Sequence, residues 1–392
     1  MREDRPETLL NHPPDVQVAA DNRPLVAPIH QSVKYEFEAV DEALRLFSGE
    51  RDGFFYQRSG NPTTRQLEQT LAKLQGREDC IATASGVAAI NGALLALTAQ
   101  GEHVLCFMEG YGPTRIFVRR TLARFGVRHT LLSIDDLEGV ERTLAGTPTK
   151  LMVFESPTNP INKVADLDAL CELARRHGTL TLLDNTLAGP HQHGQYPIDL
   201  YLHSLTKFVS GHGDVMGGAV IGDAALLRRL RGEFTNLGGV LDPHAAFLLQ
   251  RGLRTYFTRY RAQSASALRV AQHLAGHAAV AAVHFAGLPG DRYHALAQRQ
   301  MADAGCVLGI ELKGGAGAAK ACVDALRLFA NAASMGTTES LAMPAQMLTA
   351  RDLDADQQRQ AGLRPGLVRL SIGLEAVEDL LADLDQALAR AA

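Results

Sequence analysis

Between about residues 60 and 250, short apolar runs alternate with longer stretches of helical periodicity. Each run is apolar at consecutive positions rather than at every second one, so both faces of the predicted strand are expected to be buried. Such strands are typical of a largely parallel sheet that is covered by helices on both sides. The predicted strands are Ile81–Thr83, His103–Phe107, Lys150–Glu155, Leu180–Asp184 and Leu200–His203.

The pattern changes after this region and predicts a second, smaller α/β part. A long helical run from about 244 to 277 leads into it, followed by strand-like runs at Gly305–Leu312 and Leu367–Ile372 and a helix over Ala376–Ala391. We therefore predict three parts, listed here in chain order: an N-terminal arm with a helix that begins near Asp41 (1–50), a large domain (51–250), and a C-terminal domain with its bridging helix (251–392).

Composition narrows the class of protein. The chain has 392 residues, a formal net charge of −4 and a pI near 6.4, which favours neither a nucleic-acid nor a membrane partner. The five cysteines contain no C-x-x-C pair and are expected to be reduced thiols of the interior. The polar N-terminus lacks the apolar segment of a signal peptide, and no apolar run approaches the ~20 residues that cross a bilayer. A cytoplasmic location is therefore expected.

Histidines cluster at His191, His193, His203 and His212. No paired thiolates or suitably spaced carboxylates accompany them, so no metal site is predicted. We expect polar loop residues or structural histidines instead.

Lys207 is the most informative candidate for chemistry. It follows an apolar strand-like run and two hydroxyl side chains, Ser204 and Thr206, while Asp184 ends the preceding predicted strand. This is the arrangement that holds pyridoxal phosphate: the amine forms a Schiff base with the aldehyde, the hydroxyls reach the phosphate, and the carboxylate keeps the ring nitrogen protonated. The sequence thus predicts a pyridoxal-phosphate site.

A second candidate segment, Ser85-Gly86-Val87, lies between a short strand and the start of a helix. A glycine there lets the backbone approach an anion, and the N–H groups of the first helical turn point at it. The segment is either a phosphate cradle or an ordinary N-cap serine.

Several motifs occur in a fixed order along the chain: Tyr56–Thr64, Ala84–Ile90, Gly110–Thr114, Glu155–Pro160, Asp184–Thr186, Ser204–Lys207 and Val368–Glu375. With them, the chain from about residue 20 to 390 resembles the cysteine and methionine metabolism family of pyridoxal-phosphate enzymes. That family includes cystathionine β- and γ-lyases, cystathionine γ-synthase, methionine γ-lyase and the homoserine sulfhydrylases. The resemblance implies the aspartate-aminotransferase-like fold (fold type I), with pyridoxal 5′-phosphate as the cofactor.

The resemblance also implies roles around the cofactor. Tyr56 and Arg58 are expected to reach across a dimer interface to the phosphate in the neighbouring subunit, although a solvated surface arginine is the alternative. Tyr111 is expected to stack on the pyridine ring and to act as an acid/base partner of Lys207. The family's assembly implies a homo-oligomer, a tetramer built as a dimer of dimers.

Three residues are expected to bind the substrate. Asn159 would bond the cofactor's ring oxygen or the substrate carboxylate, and Arg369 would receive the α-carboxylate, with a buried ion pair as its alternative role. Ser334 lies in a segment, Ala333–Leu341, that departs from the family pattern. Ala333 and Met335 put apolar side chains where relatives place a charge or a ring.

The expected function is a carbon–sulfur lyase that cleaves cystathionine by β- or γ-elimination to a keto acid, ammonia and a thiol amino acid. A γ-replacement enzyme, either a cystathionine γ-synthase or an O-acylhomoserine sulfhydrylase, is the alternative. The apolar wall predicts weak discrimination for the far half of cystathionine, because it cannot pair a distal ammonium. A catalytically idle binding protein is disfavoured, since Lys207 and Asp184 are both present.

Overall fold

The computed structural model describes residues 24–344, 347 and 352–391, and they build two sheets. The larger sheet has seven strands in the order β1-β7-β6-β5-β4-β2-β3. Only β7 runs antiparallel to its neighbours, so the predicted mostly parallel sheet is confirmed. Its strands are β1 Asp79–Thr83, β2 His103–Phe107, β3 Arg128–Leu132, β4 Leu151–Glu155, β5 Leu180–Asp184, β6 Leu200–Ser204 and β7 Gly218–Gly222.

Both faces of this sheet are buried, as the continuous apolar runs predicted. Leu105 and Phe107 of β2 pack in a different apolar cluster from Val104 and Cys106 of the same strand. Side chains alternate across a strand, so the two clusters lie on opposite faces. The helices that accompany this sheet are α1 Val40–Phe47, α2 Pro62–Gln75, α3 Gly86–Leu97, α4 Gly112–Ile116, α5 Leu137–Gly146, α6 Leu167–Arg176, α7 Ala224–Leu237 and α8 Pro243–Leu253, with a π-helical turn at Phe117–Leu122.

A five-stranded sheet in the order β10-β11-β12-β9-β8 forms the C-terminal part. Its β10–β11 pair is parallel and the other pairs are antiparallel. Its strands are β8 Val280–His284, β9 Val307–Leu312, β10 Ala330–Asn331, β11 Leu341–Pro344 and β12 Leu367–Ser371. The helices of this part are α9 Tyr256–Ala275, α10 His294–Gln300, α11 Gly315–Ala325, α12 Ala355–Gln360 and α13 Val377–Ala391.

The structure corrects the prediction of one continuous helix over 244–277. That run is two helices, α8 and α9, because the chain turns at Arg254 and Thr255, whose N–H groups bond carbonyls three residues back. Gly252 allows the break to pack closely: a Cβ added there would lie 2.4 Å from the Val209 carbonyl oxygen.

Two strands of the large sheet were missed for physical reasons. β3 lies at the sheet edge, and its sequence begins with the polar residues Arg128, His129 and Thr130. β7 begins and ends with glycine, a composition that indicates a loop. The domain limits at 50 and 250 remain predictions, and most of the N-terminal arm lies outside the described residues.

Of the four histidines in this group, His193 and His203 are buried, His191 is partly buried and His212 is exposed. His191 Nδ1 lies 2.9 Å from the Tyr256 hydroxyl, and His203 Nε2 lies 2.8 Å from Gln75 Oε1. Burial lowers the pKa of His203 to about 3 and keeps that ring neutral. Across the described ranges, no group of three or more metal-ligating side chains occurs.

All five cysteines are buried and free. Among the helices in the described part of the chain, none is both long and apolar enough to span a bilayer.

Candidate active site

A cavity of about 280 Å³ lies at the carboxyl ends of β4, β5 and β6, where residues of the second sheet and its loops meet the first. This is the edge at which ligands collect in open α/β sheets. It brings together most of the residues predicted from the sequence: Ser85, Gly86, Val87, Tyr111, Asn159, Asp184, Ser204, Thr206, Lys207, Ser334 and Arg369.

The N-terminus of α3 forms one end of the cavity. Ser85 is its N-cap and accepts a hydrogen bond from the Ala88 N–H at 3.1 Å. Gly86 packs against β6 so closely that an added Cβ would lie 2.9 Å from Ser204 Cβ. Ser85 therefore caps the helix, and the close packing at Gly86 is the geometry expected of a phosphate cradle. The first helical turn offers backbone N–H groups to an anion.

Hydroxyl side chains extend this end of the cavity. Thr206 Oγ1 accepts a hydrogen bond from the Gly217 N–H at 3.1 Å, and Thr186 Oγ1 accepts one from the Ser204 N–H at 2.9 Å. The Ser204 and Thr206 hydroxyls, together with the α3 terminus, offer hydrogen bonds to the oxygens of a phosphate.

Lys207 lies in the turn that follows β6, and its side chain is enclosed. Its Nζ donates a hydrogen bond to Ser334 Oγ at 3.0 Å. Burial, with a contribution from the nearby Arg369 charge, lowers the pKa of Lys207 to about 8. A minor fraction of this amine, far larger than for an ordinary lysine, is therefore neutral near physiological pH and can act as a nucleophile or a base.

Arg369 is 1% exposed and lies on β12. Its Nη2 donates to the Ser334 carbonyl at 2.6 Å, and its Nε is buried without a hydrogen-bond partner among the described residues. No ion pair of this guanidinium occurs within that same part of the chain, which argues against the ion-pair alternative. Burial lowers the pKa of Arg369, and the unpaired cation suits an anionic ligand.

The loop that supplies Ser334 is strained at that residue. Ser334 has a φ of 109°, a region that residues with a side chain seldom adopt. The strained backbone lets one serine contact Lys207 through its hydroxyl and Arg369 through its carbonyl. Strain of this kind clusters at functional sites.

Asp184 and Glu155 end neighbouring strands on the floor of the cavity. Asp184 Oδ1 accepts a hydrogen bond from the Thr186 N–H at 3.1 Å. Burial raises the pKa of Asp184, while the hydrogen bonds from Thr186 act in the opposite direction. A buried carboxylate here is well placed to pair with a cationic ring.

Tyr111 and Asn159 lie at the open side of the site. Tyr111 is 43% exposed, and burial of its hydroxyl, with the charge of Asp184, raises its pKa. Asn159 Oδ1 is buried and has no hydrogen-bond partner among the described residues.

Tyr56 and Arg58 do not line this cavity. The Arg58 guanidinium lies 5.8 Å from the centre of the Tyr56 ring, and its Nη1 donates to the Thr235 carbonyl at 3.4 Å. Tyr56 is 41% exposed. Both side chains are exposed, and their predicted role at a dimer interface stays a prediction.

Sequence reasoning missed seven lining residues, four apolar and three polar: Ile90, Leu187, Leu202, Met216, Thr114, Glu155 and Thr186. A signal existed for Glu155, because it ends an apolar strand just as Asp184 does. Thr186 belongs to the motif Asp184–Thr186, in which only Asp184 was assigned a role from the sequence. Met216 lies in a glycine-rich loop and carries no local signature.

The residues present fit pyridoxal phosphate. The α3 terminus and the Ser204 and Thr206 hydroxyls would hold the phosphate, Lys207 would hold the aldehyde carbon, and Asp184 would hold the ring nitrogen. Buried polar atoms without partners among the described residues, on Glu155, Asn159 and Arg369, point to a polar ligand.

Comparison with known proteins agrees with this fit. The family model for Cys/Met metabolism PLP-dependent enzymes matches residues 10–389. The L-methionine gamma-lyase of Pseudomonas putida is 39% identical over 371 residues, which cover 93% of this chain and 92% of the relative.

Solved structures of related enzymes resemble this chain over most of its length. A cystathionine gamma synthase from Xanthomonas oryzae pv. oryzae superposes with a TM-score of 0.88 at 36% identity, covering 94% of this chain and 93% of that one. A cystathionine gamma-lyase from Lactobacillus plantarum gives a TM-score of 0.86 at 32% identity and 93% coverage of both chains. The chain therefore belongs to the Cys/Met metabolism family of enzymes, whose cofactor is pyridoxal phosphate.

Proposed function

We propose that the protein is a carbon–sulfur lyase that acts by γ-elimination on sulfur amino acids with a short apolar group on sulfur, of which methionine is the model. The observation that carries this proposal is the composition of the wall beside Lys207. Ala333 and Met335 flank Ser334, and both line the cavity together with Met216. Met335 is buried, whereas Ala333 and Met216 are exposed. A wall of this kind gives an apolar thioether apolar contacts and offers no partner to a distal ammonium.

Three residues of the site would bind the substrate and move its protons. Arg369 would bind the substrate α-carboxylate with its unpaired Nε and so place Cα close to Lys207, because Ser334 contacts both side chains. The neutral Lys207 amine would remove the proton from Cα, and it must release that proton before it can take the second one from Cβ. Tyr111, whose pKa is raised by burial, would keep its proton and donate it to the departing sulfur.

Pyridoxal phosphate, when bound, supplies the electron sink that stabilises negative charge at Cα. Asp184 would keep the ring nitrogen protonated. The overall reaction converts methionine and water to methanethiol, 2-oxobutyrate and ammonia.

The second candidate function is cystathionine cleavage, which was expected from the sequence. The likeness to a cystathionine gamma-lyase supports it. The γ-replacement alternative stays open because the cystathionine gamma synthase is equally similar in fold. A cytoplasmic homo-oligomer, with a dimer of dimers as its form, remains part of the proposal.

A product assay tests the proposal. Purified protein is given methionine, cystathionine, or O-acylhomoserine with cysteine, and 2-oxobutyrate, pyruvate and cystathionine are measured. We expect the highest kcat/KM for release of 2-oxobutyrate from methionine. A higher kcat/KM for replacement would make the protein a synthase, and pyruvate from cystathionine would make it a β-lyase.

A pair of variants tests the wall itself. Ala333→Glu adds a partner for a distal ammonium, so the ratio of kcat/KM for cystathionine over methionine should rise about tenfold, the effect of one charge-assisted hydrogen bond. Ala332→Glu is the matched control, because Ala332 does not line the cavity. Equal ratios in both variants would contradict the assignment of the wall.

A further inference from the structure

The floor of the cavity carries a second carboxyl group that the proposed mechanism does not use. Glu155 and Asp184 are direct partners in the β4–β5 register. Neighbouring strands lie about 4.8 Å apart, and paired positions of a parallel sheet point to the same face. Both side chains line the cavity, so two carboxyl groups lie side by side at its floor.

The two groups differ in exposure: Glu155 is buried, whereas Asp184 is partly exposed. Asp184 accepts bonds from the backbone and the side chain of Thr186, which stabilise its charged form. Glu155 Oε1 accepts a bond from the Asn159 N–H at 3.1 Å, and the Tyr111 N–H also stabilises the charged form of Glu155. Glu155 Oε2 is buried and has no hydrogen-bond partner among the described residues, and the whole residue is only 4% exposed. A charged oxygen in that position would be costly, whereas a protonated one is a neutral donor.

The neighbouring charges do not offset this cost. Arg115 is the cation whose charge acts on Glu155, and it also forms a bidentate ion pair with Asp352 at 3.1 and 2.7 Å. Burial and the Asp184 charge raise the pKa of Glu155 well above its ordinary value. The Asn159 and Tyr111 amides and the Arg115 charge act in the opposite direction, but they do not restore the pKa.

We propose that Glu155 is a neutral carboxylic acid in the folded protein, whose Oε2–H is a hydrogen-bond donor facing the cavity, and that Asp184 is the single anion of the floor. The pair then places one negative charge, rather than two, beside the cationic ring. The inference depends on the cofactor family and not on the substrate, so a failed methionine assay leaves it unaffected.

Infrared difference spectroscopy of the holoenzyme tests the protonation state directly. Subtracting the spectrum of Glu155→Gln from that of the wild type near neutral pH should leave the carbonyl band of a protonated carboxyl group, which moves in D₂O. Glu375→Gln is the control, because both oxygens of Glu375 accept bonds from Ser340, at 2.7 and 2.8 Å. Its difference spectrum should contain carboxylate bands only. Carboxylate bands alone from Glu155→Gln would overturn the proposal.

Thermal stability against pH gives a second, independent readout. If the pKa of a carboxyl group is raised in the folded state, the protein loses stability as the pH rises above the pKa of the same group in the unfolded chain, about 4.5. Glu155→Gln cannot ionise, so its holoenzyme should melt at the wild-type temperature near pH 4.5 and at an increasingly higher one as the pH rises. A constant difference across this range would contradict the assignment.

Cofactor affinity tests whether Glu155 acts as a hydrogen-bond donor or only fills space. Glu155→Gln retains an N–H donor and should leave the dissociation constant of pyridoxal phosphate nearly unchanged, whereas Glu155→Leu should raise it about tenfold, the effect of one lost hydrogen bond. Equal weakening by both variants would refute the donor role. If Glu155→Gln fails to fold, the wild type alone decides: the protonated-carboxyl band must disappear on raising the pH.

Discussion

At the scale of single residues, the environment of Lys207 sets its chemistry. Burial and Arg369 lower the pKa of its amine to about 8. Only the neutral amine attacks an aldehyde. The rate at which the apoenzyme captures pyridoxal phosphate should therefore rise with pH, with a midpoint near the value of about 8. Stopped-flow absorbance after mixing measures it.

A variant of Arg369 separates the two causes of the lowered Lys207 pKa, which are burial and the Arg369 charge. Arg369→Gln removes the positive charge and should move the midpoint to higher pH, since a cation beside an amine disfavours its protonated form. An unchanged midpoint would mean that burial alone lowers the pKa. Lys207→Ala should leave no cofactor that borohydride can fix to the chain.

Asp184 provides a second prediction at this scale. Asp184→Asn keeps the size of the side chain but removes the charge that would pair with the ring nitrogen. Losing a charge-assisted hydrogen bond costs about 1.5–3 kcal/mol, which corresponds to a loss of kcat of roughly 10- to 100-fold. Steady-state kinetics with cofactor occupancy measured in parallel checks this. Near-normal kcat at full occupancy would make Asp184 a structural residue only.

At the scale of elements, the junction of α3 with β6 positions the phosphate end of the cavity. Gly86→Ala would bring the new methyl group within 2.9 Å of Ser204 Cβ and 3.1 Å of its Cα. Because backbone must move, we expect a loss of about 1–3 kcal/mol in the free energy of unfolding and weaker cofactor binding. Denaturant unfolding and a cofactor titration measure the two effects.

Gly232→Ala is the matched control within α7. Nothing lies within 4 Å of a Cβ added at Gly232, and the residue is exposed. Alanine favours a helix interior by about 1 kcal/mol over glycine, so this variant should be slightly more stable and bind the cofactor normally. If both substitutions had the same effect, the close packing of Gly86 would not explain the loss.

At the scale of the whole molecule, the positions of Tyr56 and Arg58 bear on assembly. They lie outside the cavity that contains Lys207 in the same chain. If Arg58 serves a neighbouring subunit, mixing Arg58→Ala and Lys207→Ala chains should restore activity. Random pairing yields one intact site in each hybrid dimer, so about a quarter of wild-type activity is expected.

Native mass spectrometry confirms that the two kinds of chain have exchanged. Exchange without recovered activity would show that both residues act within one chain. Each variant alone should remain inactive or weakly active under the same conditions.

Much of the large sheet and of the cofactor site could be predicted from local sequence. The predicted bounds of β2 and β5 match the structure, and those of β4 and β6 differ by one residue. Continuous apolar runs report burial on both faces, and the residues that end such runs lie at one edge of a parallel sheet. This is why Asp184 and Lys207 were recognisable before any contact was known.

Contacts between distant segments were decided only by the tertiary structure. Ser334 reaches Lys207 across 127 positions of sequence, and Glu155 is adjacent to Asp184 only because β4 pairs with β5. Neither contact has a local signature, since it depends on how one strand pairs with the next and how the second sheet packs against the first. The sequence by itself determined which residue types end the buried strands, and the packing of the two sheets decided which of them meet at the cavity.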